Sequence, residues 1–243
     1  MADAPSPSLP GESDAYRAAR LELLEAEREL RREVERVAAL RRALPPGGAI
    51  ATDYVFEERD RDTGKTVETC LSDLFTLPDK SLVIYSFMYA EGANPCPMCT
   101  SFLDSFNGVA RHVRRQLNVA VSARGSIEQL TGWADQRGWD QLRMLSSAKS
   151  TYQADYLGES TEGHQFPMVN VFRQRDGAIE HFWSTEIFYA ENEPGQHPRH
   201  IDMIFPLWNL FDMTPEGRPS DWFPQLAYQD ELDPESTNQR LNA

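Results

Sequence analysis

The pattern of apolar positions changes sharply near residue 45 of the chain. Over residues 12–44, apolar side chains recur every three or four positions, which places them along one stripe of a helix. The stripe consists of Tyr16, Ala19, Leu23, Ala26, Leu30, Val34, Val37 and Leu40. Pro45-Pro46-Gly47-Gly48 then ends the helix. The pattern predicts a long amphipathic helix that either packs on its own domain or pairs with a second copy of the chain.

The two ends of the chain have little to bury. Residues 1–11 combine Pro, Ser, Ala and Gly, which predicts a disordered leader. Residues 229–243 are predicted to be a polar tail. Between the helix and this tail, we expect one domain over residues 52–215, with its core at about residues 52–184 and a C-terminal extension rich in aromatic side chains.

The first half of this domain alternates between strand and helix patterns. Residues 54–56 and 66–68 flank a polar, Gly-containing stretch, which indicates a hairpin. Residues 82–88 are almost continuously apolar, as is typical of a central strand covered on both faces. An amphipathic helix from about Cys96, a strand, a second helix and a weaker strand follow. This alternation predicts parallel βαβ units.

The second half predicts an antiparallel addition to the sheet. Residues 166–172 form a strand pattern that contains Pro167 near its start. Asp176-Gly177 supplies the residues of a tight hairpin turn, and residues 179–184 return as the partner strand. Together the two halves predict an α/β fold with a central mixed sheet flanked by helices.

The chemistry of the chain centres on Cys96-Pro97-Met98-Cys99. A strand, a loop and a helix in this order place Cys96 at a helix N-terminus, where unpaired N–H groups favour a thiolate. Pro97 fits the first helical position, and Met98 completes the first turn. Cys99 then lies about one turn later on the same side. We predict that Cys96 attacks a disulfide and that Cys99 resolves the mixed disulfide.

The net charge and the cysteine count limit the classes of binding partner and of chemistry that we expect. The net charge of −14 opposes binding to nucleic acid or to an anionic membrane surface. The N-terminal residues form no signal peptide, and no apolar stretch is long enough for a membrane span, so we expect a cytoplasmic protein. Three cysteines are too few for a secreted disulfide framework, whereas a C-x-x-C pair in a cytosolic chain suggests redox or metal chemistry.

Metal binding and any other cofactor are not expected. One C-x-x-C supplies only two thiolates, while a structural zinc site usually needs four ligands. His197, His200 and Asp202 lie in a Pro- and Gly-containing stretch without helical spacing, which favours a surface loop. Cys70 precedes an apolar helical turn and is predicted to be a small buried residue.

Four segments carry a resemblance to a known family, and they occur in its order. They are Arg41-Arg42-Ala43-Leu44-Pro45, Asp53-Tyr54-Val55-Phe56, Leu71-Ser72-Asp73-Leu74-Phe75, and the run from Tyr85 through Cys96 and Cys99 to Phe106. Over about residues 12–215 the chain resembles the thioredoxin-like bacterial family called domain of unknown function 899. The resemblance implies a thioredoxin-like fold and leaves the reaction open.

A thioredoxin-like fold implies a second element of the site. In such folds a cis-proline begins the strand beside the C-x-x-C, and the residue before it offers backbone groups to a substrate. Phe166 and Pro167 occupy the corresponding place in the order of elements, so they are the expected substrate-binding residues. An ordinary trans-proline opening a strand is the alternative interpretation.

The family also looks related to peroxiredoxins and to membrane-tethered thioredoxin-like proteins, but two departures matter. A peroxiredoxin normally has Thr three residues before its peroxidatic Cys, whereas this chain has Ala93. Thioredoxin usually carries Trp-Cys-Gly-Pro-Cys, whereas Pro95 precedes Cys96 here. The Cys-Pro-x-Cys pattern is closer to glutaredoxins and bacterial disulfide oxidases.

Three functions therefore stay open. The first is a thiol–disulfide oxidoreductase that acts on a protein or small-molecule disulfide or thiol through Cys96 and Cys99. The second is a peroxiredoxin-like peroxide reductase that uses the same cysteines in different roles. The third is a thioredoxin-like scaffold that binds a partner without turnover.

Overall fold

A computed structural model describes residues 7–192, 194 and 199–228 of the chain. The predicted leader therefore lies outside the described residues at positions 1–6, and the predicted polar tail lies outside them entirely. The chain divides into two compact units, Met1–Pro45 and Pro46–Ala243.

The N-terminal unit contains the long helix α1 (Asp14–Arg42). Ser13 caps it, because its hydroxyl accepts a hydrogen bond from the Tyr16 backbone N–H at 3.1 Å. Glu12 pairs with Arg17 at 2.6 Å and with Arg20 at 3.1 Å. These hydrogen bonds with the arginines lower the pKa of the Glu12 carboxyl, with that of Arg17 the largest contribution. Residues 7–11 were expected to be part of a disordered leader; here the Arg17 and Arg20 side chains of α1 donate hydrogen bonds to the Ser8 hydroxyl and the Pro7 carbonyl.

The second unit is built on one seven-stranded mixed sheet. The strands are β1 (Val55–Arg59), β2 (Thr66–Cys70), β3 (Leu82–Ser86), β4 (Asn118–Ala123), β5 (Met144–Ser146), β6 (Val169–Arg175) and β7 (Ala178–Ser184), in the order β2-β1-β5-β4-β3-β6-β7. The helices are α2 (Pro97–Val113), α3 (Ile127–Arg137), α4 (Tyr152–Asp155) and α5 (Pro206–Asp212), with 3-10 turns at Ser72–Leu74, Glu186–Tyr189 and Asp202–Ile204.

The strand directions confirm the thioredoxin-like α/β fold. Strands β3, β4 and β5 are parallel, and α2 and α3 connect them as the βαβ pattern predicts. The hairpins β1–β2 and β6–β7 are antiparallel. Asp176 and Gly177 have φ angles of 50° and 81°, which suits the tight turn expected between β6 and β7.

The central strand β3 contributes to a core on each face of the sheet. Tyr85 joins the cluster formed with α2 and α3, whereas Leu82 and Ile84 join the cluster that contains Tyr152 of α4. Successive side chains of a strand point to opposite faces, so burial of both faces requires a continuous apolar run. This explains why residues 82–88 lack alternation.

Self-association through α1 stays a prediction for this chain. No residue of α1 is buried, and Leu23 and Leu30 of its apolar stripe are 57% and 65% exposed. We expect sedimentation to give a dimer for the full chain and a monomer after Leu23→Glu with Leu30→Glu, because charges on the stripe oppose its burial. Arg32→Gln, on the opposite face by helical spacing, should leave the mass unchanged. A monomeric mass for all three proteins contradicts the dimer.

Candidate functional site

The loop that connects β3 to α2 is held by hydrogen bonds, which fix the position of Cys96. The Cys96 N–H donates to the Met88 carbonyl at 3.1 Å, so the chain returns to the end of β3 just before α2 begins. On the other side of the loop, the Gln129 side chain donates to the Ala90 carbonyl at 3.0 Å and the Gly125 N–H donates to the Tyr89 carbonyl at 2.7 Å. Contacts with both α3 and its preceding turn therefore hold the loop in place.

Cys96 is the N-cap residue of α2, as the sequence predicts. Its backbone is extended (φ −63°, ψ 123°), and its sulfur accepts a hydrogen bond from the Cys99 backbone N–H at 3.4 Å. Pro97 occupies the first turn, where its missing N–H is not needed. The sulfur thus takes the place that a Ser or Asp oxygen takes in an ordinary cap.

The surroundings of Cys96 favour its thiolate. Its pKa is lowered to about 6, with the hydrogen bond from the Cys99 thiol as the largest cause. Hydrogen bonds from the Cys99 and Met98 backbone N–H groups lower the pKa further, and burial acts in the opposite direction. The effect comes from hydrogen-bond donors at the helix N-terminus, as is typical of reactive cysteines.

Cys99 has the opposite character. It is 1% exposed, and burial, followed by the adjacent Cys96, raises the pKa of its thiol well above the ordinary value. Neither cysteine is in a disulfide, and Cys96 is only partly buried. The pair therefore consists of an accessible sulfur that ionises readily and a buried sulfur that keeps its proton.

The substrate-binding role of Phe166 and Pro167 stays a prediction, whereas the conformation expected for Pro167 differs from the structure. Strand β6 begins at Val169, and the Phe166–Pro167 peptide bond is trans, so the expected cis-proline is wrong. The Phe166 N–H donates to the Gly158 carbonyl at 2.9 Å, and its carbonyl accepts from the Met168 N–H at 3.0 Å. The His200 ring donates to the Pro167 carbonyl at 2.7 Å. These bonds hold the trans segment in place and engage the backbone N–H and carbonyl of Phe166.

The C-terminal extension packs against the cysteine helix. Ile201 and Phe205 are buried in the same core cluster as Cys99 and Phe102, and the Phe102 and Phe205 rings meet edge to face at 5.6 Å. Trp208 adds a partly buried contact to this cluster. The aromatic composition of the extension predicted that it covers an edge or a cleft, and the structure shows that it covers the α2 side of the core.

The remaining candidate residues that the structure describes form no metal-binding cluster. Cys70 is partly buried and not fully buried as predicted, since it lies at the end of the edge strand β2; burial is the largest cause that raises its pKa. His197 lies outside the described residues. Among the residues the structure describes, no three His, Cys, Asp or Glu side chains are placed to hold a metal ion. Within the same residues, no helix is long and apolar enough to cross a membrane.

A large cleft of about 1050 Å³ lies apart from the two thiols. Its lining includes residues near the start of β4 and the end of β1. Strand β3 runs parallel to β4, and Cys96 follows the C-terminal end of β3, so the two thiols lie toward the other end of these strands. The charged side chains of the lining have both signs, and two of its arginines pair with acids that also line it: Arg59 with Asp135 and Arg143 with Glu58. Because charges of both signs line the cleft, its electrostatics favour neither an anionic nor a cationic ligand.

Comparison with known proteins gives one family and several distant structures. The model of the family described as "Bacterial protein of unknown function (DUF899)" matches residues 7–232. No curated protein matches the chain.

Similar solved structures include AhpC of Enterococcus faecalis, with 13% identity over 72% of this chain and 97% of that chain and a TM-score of 0.45. The peroxidoxin BcpB of Mycobacterium tuberculosis has 17% identity, covers 67% and 95% of the two chains, and has a TM-score of 0.43. An uncharacterised conserved protein of Geobacillus kaustophilus has 16% identity, coverage of 63% and 73%, and a TM-score of 0.39. Similarity at this level carries no conclusion about activity.

The asymmetry of the two thiols leads to a prediction about alkylation. Because the pKa of Cys96 is lowered to about 6, its thiolate should predominate at pH 7, and its reaction with iodoacetamide should rise through pH 6 and then level off. Cys99 and Cys70, whose pKa values are raised, should react much more slowly at neutral pH. Mass spectrometry of each cysteine-containing peptide across pH measures the three rates. Equal rates at all three positions would remove the argument for an activated nucleophile.

Proposed function

We propose that this chain, which belongs to the bacterial protein family of unknown function DUF899, is a thiol–disulfide oxidoreductase. The observation that carries the proposal is the pairing of a partly exposed N-cap cysteine, Cys96, with the buried thiol of Cys99 one turn later. A low-pKa thiolate is the form that attacks a disulfide, and a second thiol within reach can release the product.

The proposed reaction transfers two electrons to a protein or small-molecule disulfide. The Cys96 thiolate attacks one sulfur of the substrate, forming a mixed disulfide and expelling the other substrate sulfur as a thiolate. Cys99 then loses its proton to a base in solution and attacks the Cys96 sulfur. A Cys96–Cys99 disulfide forms, and the second substrate thiolate leaves. A dithiol reductant returns the pair to its reduced state, and the same steps run in reverse oxidise a substrate dithiol.

The two alternatives have less support from the site. A peroxide reductase of the peroxiredoxin type has a Thr hydroxyl three residues before the reactive cysteine, and Ala93 at this position offers no hydroxyl. A scaffold without turnover has no use for a thiolate at the helix terminus. The lowered pKa of Cys96 therefore favours exchange over simple binding.

Trapping variants test the proposed roles. In a Cys70→Ser background, Cys99→Ser should accumulate a mixed disulfide through Cys96 when mixed with oxidised glutathione, because the resolving sulfur is missing. Cys96→Ser should accumulate none at neutral pH, because Cys99 is buried and protonated. Mass spectrometry of the intact proteins and of their peptides measures the adducts. The Cys70→Ser protein with both site cysteines is the matched control and should form an internal disulfide without a lasting adduct.

Two outcomes decide against the proposal. Equal adducts on Cys96 and Cys99 contradict the assigned roles. If the Cys70→Ser control keeps both thiols reduced after long exposure to oxidised glutathione, the chain is better described as a scaffold.

A further inference from the structure

A buried tyrosine lies beside the resolving cysteine. Tyr85 of β3 is 3% exposed and belongs to the same core cluster as Cys99. Its ring packs against Phe102 of α2 with centroids 4.7 Å apart. This hydroxyl has no partner with normal hydrogen-bond geometry among the residues the structure describes. A buried hydroxyl without a partner is destabilising, so its presence calls for a reason.

The neighbouring sulfur supplies that reason. After burial itself, Cys99 is the next cause that raises the pKa of Tyr85, and Tyr85 acts on Cys99 in the direction that lowers the pKa of the thiol. The titratable side chains that act on Cys99 are Cys96 of its own helix and Tyr85 of β3. From the described part of the C-terminal extension, Ile201 and Phe205 are buried in the same core cluster as Cys99. Tyr85 is the side chain that favours a charged Cys99, and a hydrogen bond with the Met88 backbone acts in the same direction.

We propose that the Tyr85 hydroxyl donates a hydrogen bond to the Cys99 sulfur when Cys99 becomes a thiolate, and so acts as a catalytic residue in resolution of the mixed disulfide. The inference rests on the proposed oxidoreductase function. It gives a catalytic role to the buried Tyr85 hydroxyl, which makes no hydrogen bond of normal geometry within the described residues. The strand supplies the donor and the helix supplies the sulfur.

The need for such a donor follows from the reaction steps. While Cys96 is a thiolate, its charge opposes ionisation of Cys99. Once Cys96 is in the mixed disulfide, this repulsion is gone, but burial still opposes the Cys99 thiolate. The thiolate forms when its proton leaves to a base in solution, and it then attacks Cys96 to release the substrate thiolate. A hydrogen bond from Tyr85 stabilises the charge during this step, and Tyr85 keeps its own proton throughout.

Tyr85→Phe tests the inference with the reaction of Ellman's reagent in the Cys70→Ser background. The first nitrothiobenzoate ion is released when Cys96 attacks, and the second when Cys99 resolves the adduct. We expect Tyr85→Phe to leave the first release unchanged and to slow the second about tenfold or more, the effect of losing a hydrogen bond to a charged group. Tyr152→Phe is the matched control, because the Tyr152 hydroxyl is likewise buried and makes no hydrogen bond of normal geometry within the described residues, but lies in the other core cluster.

A direct titration separates this inference from the proposed function. In Cys96→Ser with Cys70→Ser, Cys99 is the remaining thiol, and the pH dependence of its alkylation rate, followed by mass spectrometry, reports its ionisation. We expect Tyr85→Phe to raise the Cys99 pKa by about one unit or more relative to the same protein with Tyr85. An unchanged Cys99 pKa and an unchanged second release overturn the role of Tyr85 while leaving the oxidoreductase intact. Absence of any second release in the protein with all three site residues overturns the oxidoreductase, whereas the titration still shows whether Tyr85 donates to Cys99.

Discussion

The hydrogen bond from the Cys99 N–H to the Cys96 sulfur is the contact on which the site depends. It makes a sulfur the cap of α2, at the point where the free N–H groups of a helix favour negative charge. The bond requires an extended backbone at Cys96, the N-cap residue, so that its side chain faces the N–H groups of the first turn. The Cys96 N–H bond to Met88 and the loop bonds to α3 and its preceding turn set this geometry. The loop after β3 therefore positions the Cys96 sulfur at the helix N-terminus, where the hydrogen bond from the Cys99 thiol and then the backbone N–H groups lower its pKa.

The same geometry separates the roles of two chemically identical side chains. One helical turn places Cys96 near solvent and Cys99 against the core formed by α2, β3 and the C-terminal extension. At the first sulfur, the hydrogen bond from the Cys99 thiol and then the backbone N–H donors outweigh burial, whereas burial dominates at the second. Both effects act on a pKa through the stability of the charged form, but with opposite sign. No charged side chain is required for the asymmetry, which agrees with the apolar sequence around the motif.

Local patterns predicted the parts of the structure that local physics determines. The apolar run at residues 82–88, the C-x-x-C at a helix start and the Asp176-Gly177 turn each specify their element within a few residues, and all three are confirmed. The cis state of Pro167 was predicted from the fold and was wrong, because the bond is trans; in this segment the Phe166 N–H donates to the Gly158 carbonyl and the His200 ring donates to the Pro167 carbonyl. The proximity of Tyr85 to Cys99 could not be predicted from the local sequence, because Tyr85 lies in β3 and Cys99 lies in α2. The packing of Ile201 and Phe205 on α2 is likewise a long-range contact that periodicity does not reveal.

The central claim is that Cys96 and Cys99 form a reversible two-electron couple, and its most direct test is a redox titration of the chain in glutathione buffers with peptide mass spectrometry. A Cys96 pKa of about 6 lies between the values of about 7 for thioredoxin and about 3.5 for a strongly oxidising bacterial disulfide oxidase. The account accordingly predicts one transition that consumes the thiols of Cys96 and Cys99 and spares Cys70, with a midpoint between about −270 mV and about −120 mV. Three thiols that stay reduced across this range, or a disulfide that includes Cys70, would contradict it.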